Sequence, residues 1–358
     1  MLEEAVSRRT LLRSGIVVGA AGLVAACSSG GGSTTKTANG VSVTNMTVGW
    51  STASGGTGPL WIGVEQGIFQ KYGLNVSLVE SGSTASATAV VAGKTQAYYG
   101  EATSAFQAVS QGQPVEIIAT FRDYNFFYFL GAPGITSPSQ LKGKPIAISS
   151  VGDSTDLSTR NALAQLGVNV SDVTLLATGT SSAREAALLS GKVAATLLTD
   201  PSAHQAAAKG CKIFVDQTKQ LFIGSAVVID QSYGQQNKGA VVNFLKGMVE
   251  AVKFYDDPAN KQTVLNIFAK YFELKADDPT LLANYSQYSP AGALSRDPYP
   301  NVGGGNAIIS ALKSENSSQY ASLTLDKVYN DTFAQELRSS GFLTSTWGSQ
   351  LNAGSGSD

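Results

Sequence analysis

Several short stretches set hydroxyl side chains, most of them beside glycine, directly ahead of a helical pattern. They are Ser51-Thr52-Ala53-Ser54-Gly55-Gly56, Ser81-Gly82-Ser83-Thr84, Thr103-Ser104, Ser150-Val151-Gly152-Asp153-Ser154-Thr155 and Thr178-Gly179-Thr180-Ser181. The start of a helix exposes unpaired backbone N–H groups and about half a positive charge, so such turns hold anions and other hydrogen-bond acceptors. Each Ser or Thr is equally an ordinary N-cap, worth about 1 kcal/mol. Only convergence of several turns on one place would make them a site. Arg122 ends an apolar run, where its guanidinium could fork onto a carboxylate or sulfonate, or pair with Asp123. The candidate ligand-binding residues are Ser51, Thr52, Ser54, Ser83, Thr84, Thr103, Arg122, Tyr124, Asp153, Ser154, Thr155, Thr180 and Asp200. Tyr124, Phe126, Phe127 and Tyr128 offer rings for hinge packing or for a flat ligand, as do Trp50 and Trp61. Glu101, Asp153 and Asp200 near the same turns leave the ligand's charge open. Asp200 before Pro201 reads as an N-cap with proline in the first helical position.

Other chemistry is poorly supplied. His204 is the only histidine, and Cys27 and Cys211 are the only cysteines. A lone histidine without a cysteine cluster makes neither a zinc site nor a Ser-His-Asp triad, and no Gly-x-Ser-x-Gly elbow is present. No catalytic residue, metal or cofactor is expected. Cys211 reads as a small buried apolar side chain. The chain carries 25 basic and 26 acidic residues; removing Arg8, Arg9, Arg13, Glu3 and Glu4 with the leader leaves 22 and 24. That weakly acidic balance argues against nucleic acid, which demands a basic stripe.

The N-terminus reads as an address. A basic opening, Ser7 to Arg13, precedes an apolar run from Gly15 to Ala26, shorter than the roughly 20 residues that span a bilayer. Leu23-Val24-Ala25-Ala26-Cys27 resembles a bacterial lipobox, in which Cys27 would receive the lipid. Arg8-Arg9 with Leu11-Leu12 resembles a twin-arginine export signal, although the general secretory route also accepts basic openings. The Gly/Ser/Thr-rich stretch that follows reads as a tether.

Behind the turns, short β-rich runs alternate with helical patterns, the signature of an α/β fold. Strands are expected at Met46–Trp50, Asn75–Val79, Ala97–Gly100, Val115–Phe121, Pro145–Ser149, Val173–Ala177, Ala194–Leu198, Lys212–Val215 and Leu221–Ile229. Ala240 to Leu343 reads as mostly helical, with a Pro/Gly-rich break from Ser289 to Gly305. An internal echo runs through the chain: Gly93-Lys94-Thr95-Gln96-Ala97 returns as Gly191-Lys192-Val193-Ala194-Ala195. Ser104-Ala105-Phe106-Gln107-Ala108 returns as Ser202-Ala203-His204-Gln205-Ala206, and Gly112 as Gly210, all at one offset. Two lobes of similar design would produce it.

Three segments resemble one family. Gly67-Ile68-Phe69-Gln70-Lys71-Tyr72-Gly73-Leu74-Asn75-Val76, Ile135 to Lys144, and Ala186 to Ala195 with Asp200-Pro201 are similar to stretches of ABC-importer binding proteins. That family takes aliphatic sulfonates, nitrate, taurine and thiamine precursors; Ala194 stands where it often has Asp. The resemblance implies a two-lobed periplasmic-binding-protein fold of type 2, α/β, with hinge crossings and a helical C-terminal tail. With the address read above, the expected division is a signal peptide over 1–26, a tether over 27–44, a first lobe over 45–130 plus 228–345, and a second over 131–227. Crossings are expected near Phe129–Ile135 and Phe222–Val227. The implied function is an extracytoplasmic, lipid-anchored, monomeric receptor. It would deliver a small organic ligand, anionic or heteroaromatic, to an ABC permease and its ATPase. The alternatives are an enzyme on the same fold, like a pyrimidine-precursor synthase, and a structural lipoprotein without ligand.

Overall fold

The computed structural model describes residues 34–36, 42–50, 53–81, 83–200, 202–289 and 293–351. The leader, Cys27, Ser51 and Thr52 lie outside the described residues, as do the side chains of Ser83 and Thr84. Eleven strands form among the described residues: β1 (Thr34–Lys36), β2 (Ser42–Trp50), β3 (Leu74–Glu80), β4 (Ala97–Gly100), β5 (Val115–Tyr124), β6 (Tyr128–Gly131), β7 (Pro145–Ile148), β8 (Thr174–Ala177), β9 (Ala195–Leu198), β10 (Lys212–Asp216) and β11 (Leu221–Asp230). They build two sheets. The first runs β1-β2-β4-β11-β5 with β3 on β2, and the second runs β10-β6-β9-β7-β8. All nine expected strands are present; β1 and β6 are additional.

Around the first sheet lie α1 (Gly58–Glu65), α2 (Ile68–Lys71), α3 (Ser83–Val91) and α4 (Thr103–Ser110). The second sheet carries α5 (Ser154–Gln165), α6 (Ser181–Leu189) and α7 (Ser202–Ala208). The chain then returns to the first sheet with α8 (Gln231–Gln236), α9 (Lys238–Asp256), α10 (Lys261–Tyr271), α11 (Pro279–Tyr288), α12 (Val302–Glu315), α13 (Leu325–Val328), α14 (Thr332–Ser339) and α15 (Phe342–Trp347). Each sheet is buried on both faces. One face of the first meets Trp61, Phe69, Phe244 and Phe268 from α1, α2, α9 and α10; the other meets Phe106, Ile308 and Leu312 from α4 and α12. Two separate cores flank the second sheet in the same way. Sheets covered twice need continuous apolar strands, and the first eight residues of β5 are all buried.

The internal echo is structural. β4 and β9 stand at the same offset, each parallel to a strand of its own sheet, β2 and β7. Each leads to a short helix, α4 or α7. Gly93, Gly112, Gly191 and Gly210, the paired glycines of the echo, all take left-handed φ, between 66° and 96°.

The crossings differ from expectation. Sheet membership changes between Tyr124 and Tyr128 and again between Asp216 and Leu221. Phe129 pairs with Leu197 inside β6, and Phe222–Val227 lies inside β11, so the apolar stretches assigned to the hinge are ladder strands. In the tail, α12 begins at Val302, within the expected Pro/Gly break. Asn301 caps it by accepting from the Gly304 N–H at 2.5 Å, which lets three glycines enter a helix.

The largest helix, α9, is fastened through glycine. Cβ atoms on Gly63 of α1 and Gly247 of α9 would lie 2.4 and 2.5 Å from the Phe69 ring. The fully buried ring is thus held between two helices that can approach only without side chains there. Gly247→Ala should cost about 1–3 kcal/mol through overpacking. Gly239→Ala, in the same helix with no neighbouring atom within 4 Å, should be neutral or slightly stabilising. Urea unfolding of both variants measures the contrast.

Candidate functional site

β2, β3, β4 and β5 point the same way, and so do β7, β8 and β9, so the turns after them gather at the carboxyl ends of the two sheets. Ligands of open α/β sheets bind outside such ends. In the first half, Ser54 to Gly58 form a tight turn closed by Thr57 N–H to Ser54 O at 2.9 Å. Asn284 of α11 accepts the Gly55 N–H at 3.1 Å, and the Tyr99 hydroxyl donates to Gly56 O at 3.0 Å. Thr103 opens α4, its N–H bonded to Glu101 Oε2 at 2.8 Å. The hydroxyls of Thr103 and Ser104 are buried without a partner. Ser104 also lines a recess of about 250 Å³ between α3 and α4, shared with Gln107 and Gln111. A larger recess, about 510 Å³, lies among α2, α9 and α15, away from these turns.

In the second half the turn after β7 is knitted to itself. Asp153 accepts from Thr155 N at 2.9 Å, Asp156 N at 3.1 Å and the Thr155 hydroxyl at 2.6 Å, and it also bonds the Ser149 hydroxyl. Asp153 is therefore the N-cap of α5, and Ser154 and Thr155 are buried behind it. Thr180 likewise caps α6, accepting from Ala183 N at 3.2 Å. Asp200 bonds His204 one turn onward and the Tyr128 hydroxyl, while Pro201 lies outside the described residues, so the expected cap pairing is not described. Burial and the Asp200 charge raise the Tyr128 phenol well above its ordinary range.

Arg122 is held by contacts within the protein. Its Nε and Nη2 donate to the carbonyls of Tyr124 and Asn125 at 3.0 and 2.9 Å, and its guanidinium lies 4.5 Å from the centroid of the Tyr288 ring. No ion pair joins it to Asp123 among the described residues; that carboxyl accepts from Thr120 at 3.3 Å, and burial pushes it up to about 6. Tyr124 is 36% exposed, paired with Leu221 at the edge of the first sheet. Phe126 and Phe127 pack into the core of the second half, and Trp50 and Trp61 into that of the first. The aromatic run is thus divided between packing and surface.

Three buried residues matter that composition did not single out. Asn125 and Gln217 occupy the two crossings and tie them together. Asn125 Nδ2 donates to the Ser158 hydroxyl at 3.0 Å and to Gln217 Oε1 at 3.4 Å, while its Oδ1 accepts from the N–H groups of Phe126 and Phe127. Gln217 Nε2 donates to Ser158 O at 2.8 Å, and its N–H to Phe127 O at 3.1 Å. The third is Arg184 of α6, which donates to Gly179 O at 2.7 Å and lies within the field of Asp153; burial lowers its guanidinium to about 10. It fastens the turn after β8 from beneath. A single polar residue inside Tyr124-Asn125-Phe126-Phe127 was the one available signal for the knot.

The two halves also meet on their flanks. Gln107 donates to Gly152 O at 2.5 Å, and Gln205 to the Thr280 hydroxyl at 2.9 Å. Leu157 of α5 joins the core around Phe106 and Ile223 of the first half.

The NMT1/THI5-like family profile matches residues 56–260, more than half of the chain. The chain belongs to that family. No curated protein sequence matches it. Among solved structures it is similar to the periplasmic aliphatic sulphonate-binding protein of Escherichia coli, at 19% identity and a TM-score of 0.64, covering 80% of this chain and 92% of that one. The periplasmic nitrate-binding protein of Synechocystis is 14% identical with a TM-score of 0.66, covering 87% and 92%. A desulfurization enzyme is 15% identical with a TM-score of 0.59, covering 82% and 99%. The fold of this NMT1/THI5-like chain is therefore the two-lobed periplasmic-binding-protein fold. Likeness at these identities carries the architecture and not the ligand.

For this NMT1/THI5-like protein the hinge gives a direct test. Asn125→Ala strands two buried backbone N–H groups and removes the donor to Gln217 Oε1, at a cost of about 2–4 kcal/mol. Urea unfolding should show a lowered midpoint with an unchanged slope.

Proposed function

We propose that the chain is the extracytoplasmic receptor of an ABC importer, binding a small organic ligand between its halves and presenting the closed form to the permease and its ATPase. The observation that carries this reading is the pair of sheets with helix starts at their carboxyl ends, joined by two crossings bonded at Asn125 and Gln217. Family membership and the likeness to sulphonate- and nitrate-binding proteins support it. The ligand's acceptor atoms meet the start of α4, where the Thr103 and Ser104 hydroxyls have no protein partner. Ser51, Thr52, Ser54, Ser83 and Thr84 would complete the first wall. Ser154, Thr180 and Asp200 would line the second, with Asp153 and Thr155 shaping its turn. Arg122, already bonded to the carbonyls of Tyr124 and Asn125, and Tyr124 would meet the ligand from the crossing side. The ligand is anionic or heteroaromatic, and the receptor acts as a monomer tethered by lipid at Cys27.

An enzymatic reading finds little to work with among the described residues. His204 is exposed and paired with Asp200, and burial raises the Cys211 thiol, which weakens it as a nucleophile. No described helix is long and apolar enough to cross a membrane.

Two measurements check the proposal. A thermal-shift screen with alkanesulfonates, nitrate and substituted pyrimidines should find a stabilising ligand. One present at 100 times its Kd adds about 2.7 kcal/mol; a flat response across all three classes would contradict the ligand assignment. Cys27→Ser should move the protein from the membrane fraction to the soluble one, because the remaining leader supplies no acyl chain.

A further inference from the structure

Most contacts between the halves are indifferent to protons. Gln107 with Gly152, Gln205 with Thr280, and Leu157 in its apolar seat carry no ionisable group. One flank is different. Asp156 of α5 is fully buried, accepts from the Gly152 N–H at 2.7 Å, and pairs with Arg160 one turn on at 2.7 Å. α12, from the first half, packs against α5 and ends at Glu315. The Oε2 atom of Glu315 is buried with no hydrogen-bond partner.

The charged surroundings of Glu315 are few. From α5 come Asp156, which repels it, and Arg160, which attracts it. Tyr320, just beyond α12, is the remaining titratable neighbour coupled to it. α4 has no charged residue, the only acid of β11 caps α8 at its far end, and Asp326 and Lys327 of α13 are exposed. Burial, then Asp156, raise the Glu315 carboxyl above its ordinary value, with Arg160 opposing. Parting of the halves would return that carboxyl to water and to its ordinary range.

We propose that Glu315 is a proton-operated latch: neutral, it lets α12 lie against α5; ionised, its buried and unpartnered carboxylate oxygen demands water and parts this flank. The inference rests on the receptor reading above, in which the halves open and close. Because the closed form binds the proton more tightly, acidification favours closure and alkalinity favours opening. The window begins at the ordinary carboxylate range and ends above the raised value. The closed-to-open ratio changes about tenfold for each unit by which closure raises the carboxyl.

Small-angle X-ray scattering of the intact protein at pH 5 and pH 8 reads this directly. The wild type should expand as pH rises, while Glu315→Gln, of the same shape but without charge, should stay compact at both. A wild-type radius independent of pH, or an equal expansion of Glu315→Gln, overturns the latch. A second arm adds ethanesulfonate or nitrate at both pH values. Compaction by an anion without any pH response sinks the latch and spares the receptor. A pH response without compaction by either anion keeps the latch and removes these ligands.

Discussion

Everything else in the molecule depends on two buried amides. A chain that builds one sheet, leaves it, builds a second and returns must cross between them twice. Each crossing carries backbone groups that belong to neither ladder, and buried groups of that kind must find partners. Asn125 and Gln217 supply them: one carboxamide oxygen takes two consecutive N–H groups, and the two side chains share Ser158. Arg122 adds donors for the carbonyls beside them. With these bonds in place the two crossings are tied to each other and to Ser158 of α5.

The knot also explains where apolar surface had to go. Phe126 and Phe127 follow Asn125 directly and bury in the second half, whereas Arg122 and its ring partner Tyr288 belong to the first. Polar satisfaction and core burial are thus assigned to adjacent residues of one short segment.

Much of this was legible in the residues. Alternating β-rich and helical runs gave nine strands in place, and the ninety-eight-residue echo marked β4 and β9 as equivalent. Legibility failed where one residue type serves two physical roles. The family resemblance placed the crossings near Phe129 and Phe222, yet both are ladder residues. Asp153 and Thr180 also cap their own helices, the ordinary role that the residue types alone could not separate from ligand binding. Arg184 escaped notice because its partners are backbone carbonyls, and no residue pattern announces a carbonyl. Local propensity reports local partners; tertiary partners leave a trace only when they alter composition.

The duplicated strand–helix unit has a consequence for handedness of recognition. Its two copies share a backbone design but not a chemistry. Glu101 and Ala102 of one correspond to Thr199 and Asp200 of the other, and buried Phe106 corresponds to exposed His204. The two helix starts thus differ by an acid one position out of step, and their helices differ in turning an aromatic ring inward or an imidazole outward. Two copies of one mould therefore present unlike surfaces, and the pair as a whole has a direction.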